Sequence, residues 1–453
     1  MECRTPTSKD PHGPGAVSCP RAAHALLSRS GFHQAFPLLR ARYRHRANAD
    51  PAGTRPDTIR ASRGDGMSAT GAPAETPVQS PGANVGTAYT GRIGAIDLAR
   101  GFAVCLMILS HGTNGLMPLD DFPAWGQVSV HAITKFSSSL FVIVFGIALA
   151  VAFMPKTTAP DWPQRRNRLL WRGLVVLFWY KVLTVVEMYG RHDTAAIVDT
   201  LLYRDFPSFV EILGFYAIAL LWIPWLLPLW AKTPAVLRWL SPIPVAFASW
   251  WLLHHFDFWG VPQLQALIVE HPDYYTWGQL ARGPLILIGL LIGGVLLQAY
   301  RAPRTRWALA GALALVSAAL FAWFLIRAGD LRPLLVDIAR NTGKHPPQLM
   351  FMLFSTGGAF ALLALAVAGG EWLAKWLRPI AVIGSDAMMA FIVHISVIFL
   401  LLREVLGLYQ SVTYERALLL TLLLLAATAT WIWLWGTMKR ALKRAPDTVV
   451  QRK

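Results

Sequence analysis

Apolar residues in this chain gather into ten runs of about twenty, the length an α-helix needs to cross a bilayer. They fall at approximately 96–117, 133–154, 169–189, 208–230, 236–255, 279–300, 306–327, 348–370, 379–402 and 415–437. Pro242 and Pro244 interrupt the fifth run, although proline is tolerated in spanning helices. No internal repeat relates the runs. The pattern predicts an all-α integral membrane protein, a bundle of about ten transmembrane helices.

Residues 1–90, ahead of the first run, are rich in Pro, Gly, Ser, Ala and Arg and carry no sustained apolar period. Such a composition predicts a disordered N-terminal segment. It lacks the apolar core and small-residue cleavage site of a secretory signal. Arg40, Arg42, Arg44 and Arg46 resemble part of a transit peptide, but prolines and several acids break that pattern. Met67 follows Arg-Gly-Asp-Gly, whose codons can be purine-rich like a bacterial ribosome-binding site, so translation is expected to start there. The expected organisation is a segment 1–90, a transmembrane domain 91–440 and a basic cytoplasmic tail 441–453.

Composition narrows the class. Of the 453 residues, 55% are hydrophobic and 15% charged, against about 25% charged in a soluble domain. A soluble globular enzyme is excluded. Cys3, Cys19 and Cys105 are too few and too scattered for a disulfide scaffold, and Cys105 in an apolar helix reads as an inert thiol. The net charge of +17 raises the question of nucleic acid. Its distribution answers in the negative: eleven Lys and Arg lie in the first 66 residues, and most others sit in short connections between apolar runs. Basic residues at the ends of spans set orientation and meet anionic lipid head groups.

Those connections define the topology. Lys156, Arg165, Arg166 and Arg168 cluster in one; Lys232, Arg301, Arg304, Lys375 and Arg378 mark alternate later ones; Lys439, Arg440, Lys443 and Arg444 follow the last run. The intervening stretches 118–132 and 256–278 hold Asp120, Asp121, Asp257, Glu270 and Asp273 and no Lys or Arg. The positive-inside rule then places both termini in the cytoplasm, as expected of a bacterial inner-membrane protein. Loop 328–347, with Arg332, Arg340 and Lys344 on the outer side, is the exception, and is expected to contact the acceptor of whatever chemistry occurs there.

Ionisable groups inside spans are costly and point to function. The first run contains Asp97-Leu98-Ala99-Arg100-Gly101 and then Ser110-His111. Arg100 and His111 are eleven steps apart, which at 100° per residue is about 20° from a common face and about 16 Å along the axis. An arginine at the inner mouth can hold phosphate bidentately, and a neutral imidazole deeper in can take a proton from a hydroxyl or amine. A purely structural account has Arg100 pairing with Asp97 and His111 bonding between helices. Glu211, near the outer end of the fourth run, could bind an acceptor hydroxyl, orient an imidazole, or pair with Arg204 or Lys181. Lys181 and Glu187 lie about 120° apart on their helix, so each needs a partner elsewhere. Asp386 and His394, about 80° apart, could share a polar cavity, although a helix–helix hydrogen bond is the expected role of each. No P-loop and no His-Glu-x-x-His metal motif occurs, and a serine nucleophile elbow is absent. No metal site is expected.

The stretch Arg92 to His111, with its Arg-x10-His spacing, resembles the first helix of the membrane-bound acyltransferase-3 superfamily, which is similar to the heparan-alpha-glucosaminide N-acetyltransferase group. Ser138-Ser139-Leu140-Phe141 through Phe145-Gly146, the basic run Arg165-Arg166-Asn167-Arg168, and Ile383-Gly384-Ser385-Asp386 with Phe391 and His394 resemble later segments of that superfamily. Phe145 stands where the second-helix motif often has Ser, and Ser385 and Asp386 stand where Asn and Ser are common. The resemblance spans roughly 90–440 and implies a ten-helix core. It implies that Arg100 and His111 are the catalytic pair and that Arg100, Arg166 and Arg168 hold the phosphates of acyl-CoA. Glu211, Asp386 and His394 are then candidates for the acceptor site.

The function implied is transfer of an acyl group, acetyl first among them, from cytoplasmic acyl-CoA to a hydroxyl or amine of a glycan or lipid-linked sugar, as in polysaccharide modification at the cell envelope. Direct attack in a ternary complex and a ping-pong route through an acylated His111 both satisfy the spacing. The alternative from another class is a secondary transporter or flippase, which would also place polar residues at mid-depth. Its usual signs, paired broken helices and related halves, are missing from the pattern. A membrane scaffold without chemistry leaves the alignment of Arg100 with His111 unexplained.

Overall fold

A computed structural model describes residues 93–300 and 302–444. The expectation of disorder over 1–90 lies outside the described residues, as does 445–453. Among the described residues there is no β-strand, only one isolated bridge between His271 and Tyr274. Ten helices among the described residues are long and apolar enough to cross a membrane, as the apolar runs predict.

The helices are α1 (Gly94–Leu116), α2 (Phe136–Ala152), α3 (Trp162–Met188), α4 (Thr194–Leu201), α5 (Glu211–Lys232), α6 (Ala235–Leu240), α7 (Pro242–His255), α8 (Pro262–Val269), α9 (Gln279–Ala299), α10 (Pro303–Arg327), α11 (Leu331–Ala339), α12 (Leu349–Trp376), α13 (Arg378–Ser385), α14 (Ala387–Ser396) and α15 (Tyr414–Arg444). A π-helical stretch, Gly126–Ala132, leads into α2, and another, Val397–Val405, extends α14. The last helix reaches Arg444, so the boundary expected at residue 441 falls inside it.

Two runs are more broken than their hydropathy suggests. The fifth is two helices, α6 and α7, meeting at Ser241 with Pro242 at the first helical position of α7, where its missing N–H is harmless. Trp239, Phe247, Trp250 and Trp251 leave this edge of the bundle exposed, as suits side chains facing lipid and its interface. The ninth run divides at Asp386, whose side chain accepts from the Met389 N–H at 3.3 Å and so caps α14. This releases α13 to lie against α1.

Small residues set the closest helix crossings. A methyl group on Gly101 would meet the carbonyl of Ile380, and one on Gly384 would meet the backbone of Asp97 and Gly101. Gly146 on α2 and Gly289 on α9 face each other's backbones in the same way. Without Cβ atoms the backbones approach closely, which is how helices pack where lipid supplies no hydrophobic drive. Hydroxyls add to this. Ser355 on α12 bonds Ser139 at 2.8 Å and Ser138 at 3.1 Å, fixing α12 against α2.

Candidate functional site

At the end of the bundle where α1 finishes, a cavity of about 360 Å³ lies among the helices. Its walls come from α1 (Met107, Ser110, His111, Asn114), the turn into α2 and its start (Thr134, Lys135, Ser137, Ser138), the segment before α5 (Ser208, Phe209), Glu211 and Ile212, loop residues Tyr275 and Trp277, and Arg340, Asn341 and Lys344. Many of these side chains bring hydroxyl, amide or charged groups to a depth that is otherwise apolar.

His111 is the group with chemistry to offer. Its Nδ1 lies 3.2 Å from Nε2 of His394 on α14, and the rings stack with centroids 5.4 Å apart. His394 Nδ1 lies 2.6 Å from the Ala390 carbonyl, which can only accept. The His394 proton therefore sits on Nδ1, and its Nε2 accepts from His111 Nδ1–H. That fixes the His111 tautomer and leaves the lone pair on His111 Nε2, the arrangement a general base requires. Phe209 packs edge-on to His111 at 5.4 Å. Phe209 is itself held by Glu187, whose carboxylate accepts from the Ser208 N–H at 2.7 Å and the Phe209 N–H at 3.1 Å.

The structure separates Arg100 from this centre. Its guanidinium donates to the Gly384 carbonyl at 3.2 Å and stands 3.9 Å from Asp97, toward the other end of α1. The interval of about 16 Å follows from the helical rise. Arg166 stacks its guanidinium 3.9 Å over the Trp225 ring, neighbouring Arg165 pairs with Asp161, and Arg168 is exposed. None of these arginines lines the cavity. Asp386, besides capping α14, stands 3.7 Å from Lys439 and takes no part in the cavity, so it shares none with His394.

Glu211 does line the cavity, but its partner is neither Arg204 nor Lys181. Its Oε1 accepts from Lys344 Nζ at 3.1 Å, and Lys344 also donates to the Tyr275 hydroxyl at 2.6 Å. Burial alone lowers the Lys344 ammonium, but Tyr275 and Glu211 more than offset it, so the group is raised above the ordinary lysine value. Behind it, the Lys344 carbonyl accepts from Arg282, which is 1% exposed and bonds Glu270 at 2.8 Å. His345 Nδ1 meets the other Glu270 oxygen at 2.7 Å. Burial would raise the Glu270 carboxyl, yet Arg282 and His345 hold it below the usual range.

Of the three basic residues in 328–347 that the positive-inside rule does not expect on the outer side, two turn inward or pair locally, and Arg332 is exposed. Lys344 meets Glu211, and Arg340 meets Asp120 at 2.9 Å. Sequence reasoning did not single out Lys135, Tyr275 or Asn341. For Lys135 a signal existed, since an ionisable residue within a spanning segment is by default a functional candidate. Among the described residues no group of His, Cys, Asp and Glu could hold a metal ion.

An acyltransferase-3 family model, described as an acyltransferase domain, matches residues 93–436. The chain belongs to the acyltransferase-3 family. No curated protein matches it. Every helix that builds the cavity lies inside the matched stretch, so the acyltransferase-3 domain and the spanning bundle are one unit. Both His111 and Arg100, the residues of the first-helix motif, fall within that domain, as do the serines that bind α2 to α12.

Proposed function

We propose that this membrane acyltransferase moves an acetyl group from cytoplasmic acyl-CoA to a hydroxyl or amine of a glycan or lipid-linked sugar held in the cavity at the outer end of the bundle. The observation that carries this reading is the His111–His394 pair, which turns a lone pair toward a chamber lined by hydroxyls and amides. His111 Nε2 takes the proton of the acceptor O–H or N–H as the heteroatom attacks the thioester carbonyl. The C–S bond of the tetrahedral intermediate then breaks, and the proton on His111 passes to the departing sulfur to give the CoA thiol.

Arg100 lies one pantetheine-like interval away, toward the end of the bundle with the basic connections. In this reading it steadies CoA phosphates there, with Arg166 and Arg168 as further contacts at the cytoplasmic face. Both termini are then cytoplasmic, and the acceptor arrives from the opposite side of a bacterial inner membrane. The basic connections at the Arg100 end support this arrangement through the positive-inside rule.

The test is binding and turnover of radiolabelled acetyl-CoA by the protein in nanodiscs. Saturable binding weakened by Arg100→Ala, with turnover lost in His111→Ala, is the expected result. Well-folded protein that binds no acyl-CoA overturns the reading.

A further inference from the structure

The charges around the cavity do not cancel. Lys344 is matched by Glu211 and Arg340 by Asp120. Glu211 is the one carboxylate among the lining residues; its Oε1 accepts from Lys344, and its Oε2 has no hydrogen-bond partner among the described residues. Lys135 remains. It is 5% exposed, lines the same chamber as His111, and has no ion-pair partner among the described residues. Its position is fixed, because its backbone carbonyl accepts from Ser355 Oγ at 2.7 Å and Ser138 Oγ at 3.0 Å. The one carboxylate of the chamber, Glu211, acts on both Lys344 and Lys135, so two buried lysines share a single negative charge, and an ammonium short of counter-charge is costly in a membrane interior. Such a group is retained where a ligand supplies the missing negative charge.

We propose that Lys135 forms an anion subsite for the acceptor, so that the glycan acylated here is acidic, with a carboxylate or phosphate close to the hydroxyl that faces His111. The inference rests on the acyltransferase reading of the cavity. The anion belongs to the acceptor rather than to the donor, because the arginines assigned to CoA lie toward the opposite end of α1. Flanking hydroxyls of Thr134, Ser137 and Ser138 suit the neighbouring ring oxygens of a sugar.

Equilibrium binding to the full chain in nanodiscs, with no donor present, tests this. The probes are methyl β-glucoside, methyl β-glucuronide and methyl β-glucoside 6-phosphate, and the two acidic ones separate carboxylate from phosphate. At least one acidic probe should bind about tenfold more tightly than the neutral glucoside, the scale of one charge-assisted contact. Lys135→Met should bring that ratio to about one, and Lys135→Arg should keep most of it, which separates lost charge from lost folding. Equal binding of neutral and acidic probes, no saturable binding of either acidic probe, or an unchanged ratio in Lys135→Met overturns the subsite. Displacement of the acidic probe by CoA also overturns it, since the anion would then be the donor's. Turnover of acetyl-CoA is read separately, so a failed acyltransferase reading and a failed anion subsite give different results.

Discussion

His111 and His394 meet at 3.2 Å although 283 residues separate them in sequence. The direction of the bond is set by a third group, the Ala390 carbonyl, which takes the His394 Nδ1 proton. In the proposed mechanism His394 is a positioning residue for His111. Replacing His111 with Ala should lower transfer by about 10²- to 10⁴-fold, the contribution of a positioned base. His394→Leu should cost about 10²-fold, and His394→Gln, whose side-chain oxygen can accept from His111, should recover much of it. Steady-state turnover of the three variants checks the order, and kcat rather than KM should carry the loss.

The Glu211–Lys344 pair is buried on both sides, at 5% and 11% exposure. Removing one member strands the other charge, at a cost of about 3–5 kcal/mol. Glu211→Gln or Lys344→Met alone should therefore lower the midpoint of thermal unfolding in detergent, while the double variant should be less destabilised than the sum of the two. A purely additive double variant would show that the pair is not coupled.

Acid stability is expected to depend on the network around Glu270. Glu270 is held below its ordinary value, so its contribution is present above about pH 4.5 and lost as the pH falls through the folded-state value. Burial lowers His345 from its ordinary value of 6.5, so it too contributes above that value and less on acidification. Both act in the same direction. Unfolding temperature should be flat near neutrality and fall below about pH 6.5. Glu270→Gln should remove the steepest part of that fall while lowering stability at pH 7.

Gly384 bears on the Arg100 end of the bundle, the proposed donor side. Its carbonyl accepts from Arg100, and its missing side chain lets α13 lie on α1. Gly384→Val should prise these helices apart at a cost of about 1–3 kcal/mol or more, and should weaken acetyl-CoA binding. Comparing that binding with the folded yield on size exclusion separates the two effects.

The spans were legible because each is a run of about twenty apolar residues, and lipid demands that length. Helix breaks were less so. Gly384-Ser385-Asp386 reads equally as part of a polar cavity or as a helix cap, and capping by Asp386 shows only when α13 turns against α1. Periodicity placed His394 on its own helix but had no means of pairing it with His111 across the fold. The same limit hid the partner of Glu211. Loop 328–347 looked anomalous because charge counting treats every loop cation as a surface signal, whereas Lys344 is an internal counter-ion. Lys135 escaped notice at the edge of an apolar run, where a basic residue is ordinarily unremarkable.

The long separation of the two histidines has a consequence for biogenesis. His111 enters the bilayer with the first span and waits for its partner until the ninth has emerged from the ribosome. Seven intervening spans must be inserted before His111 can donate to His394. A nascent or truncated chain can hold the first-helix motif intact and still lack the bond that orients His111, so that bond forms only once the ninth span is in place.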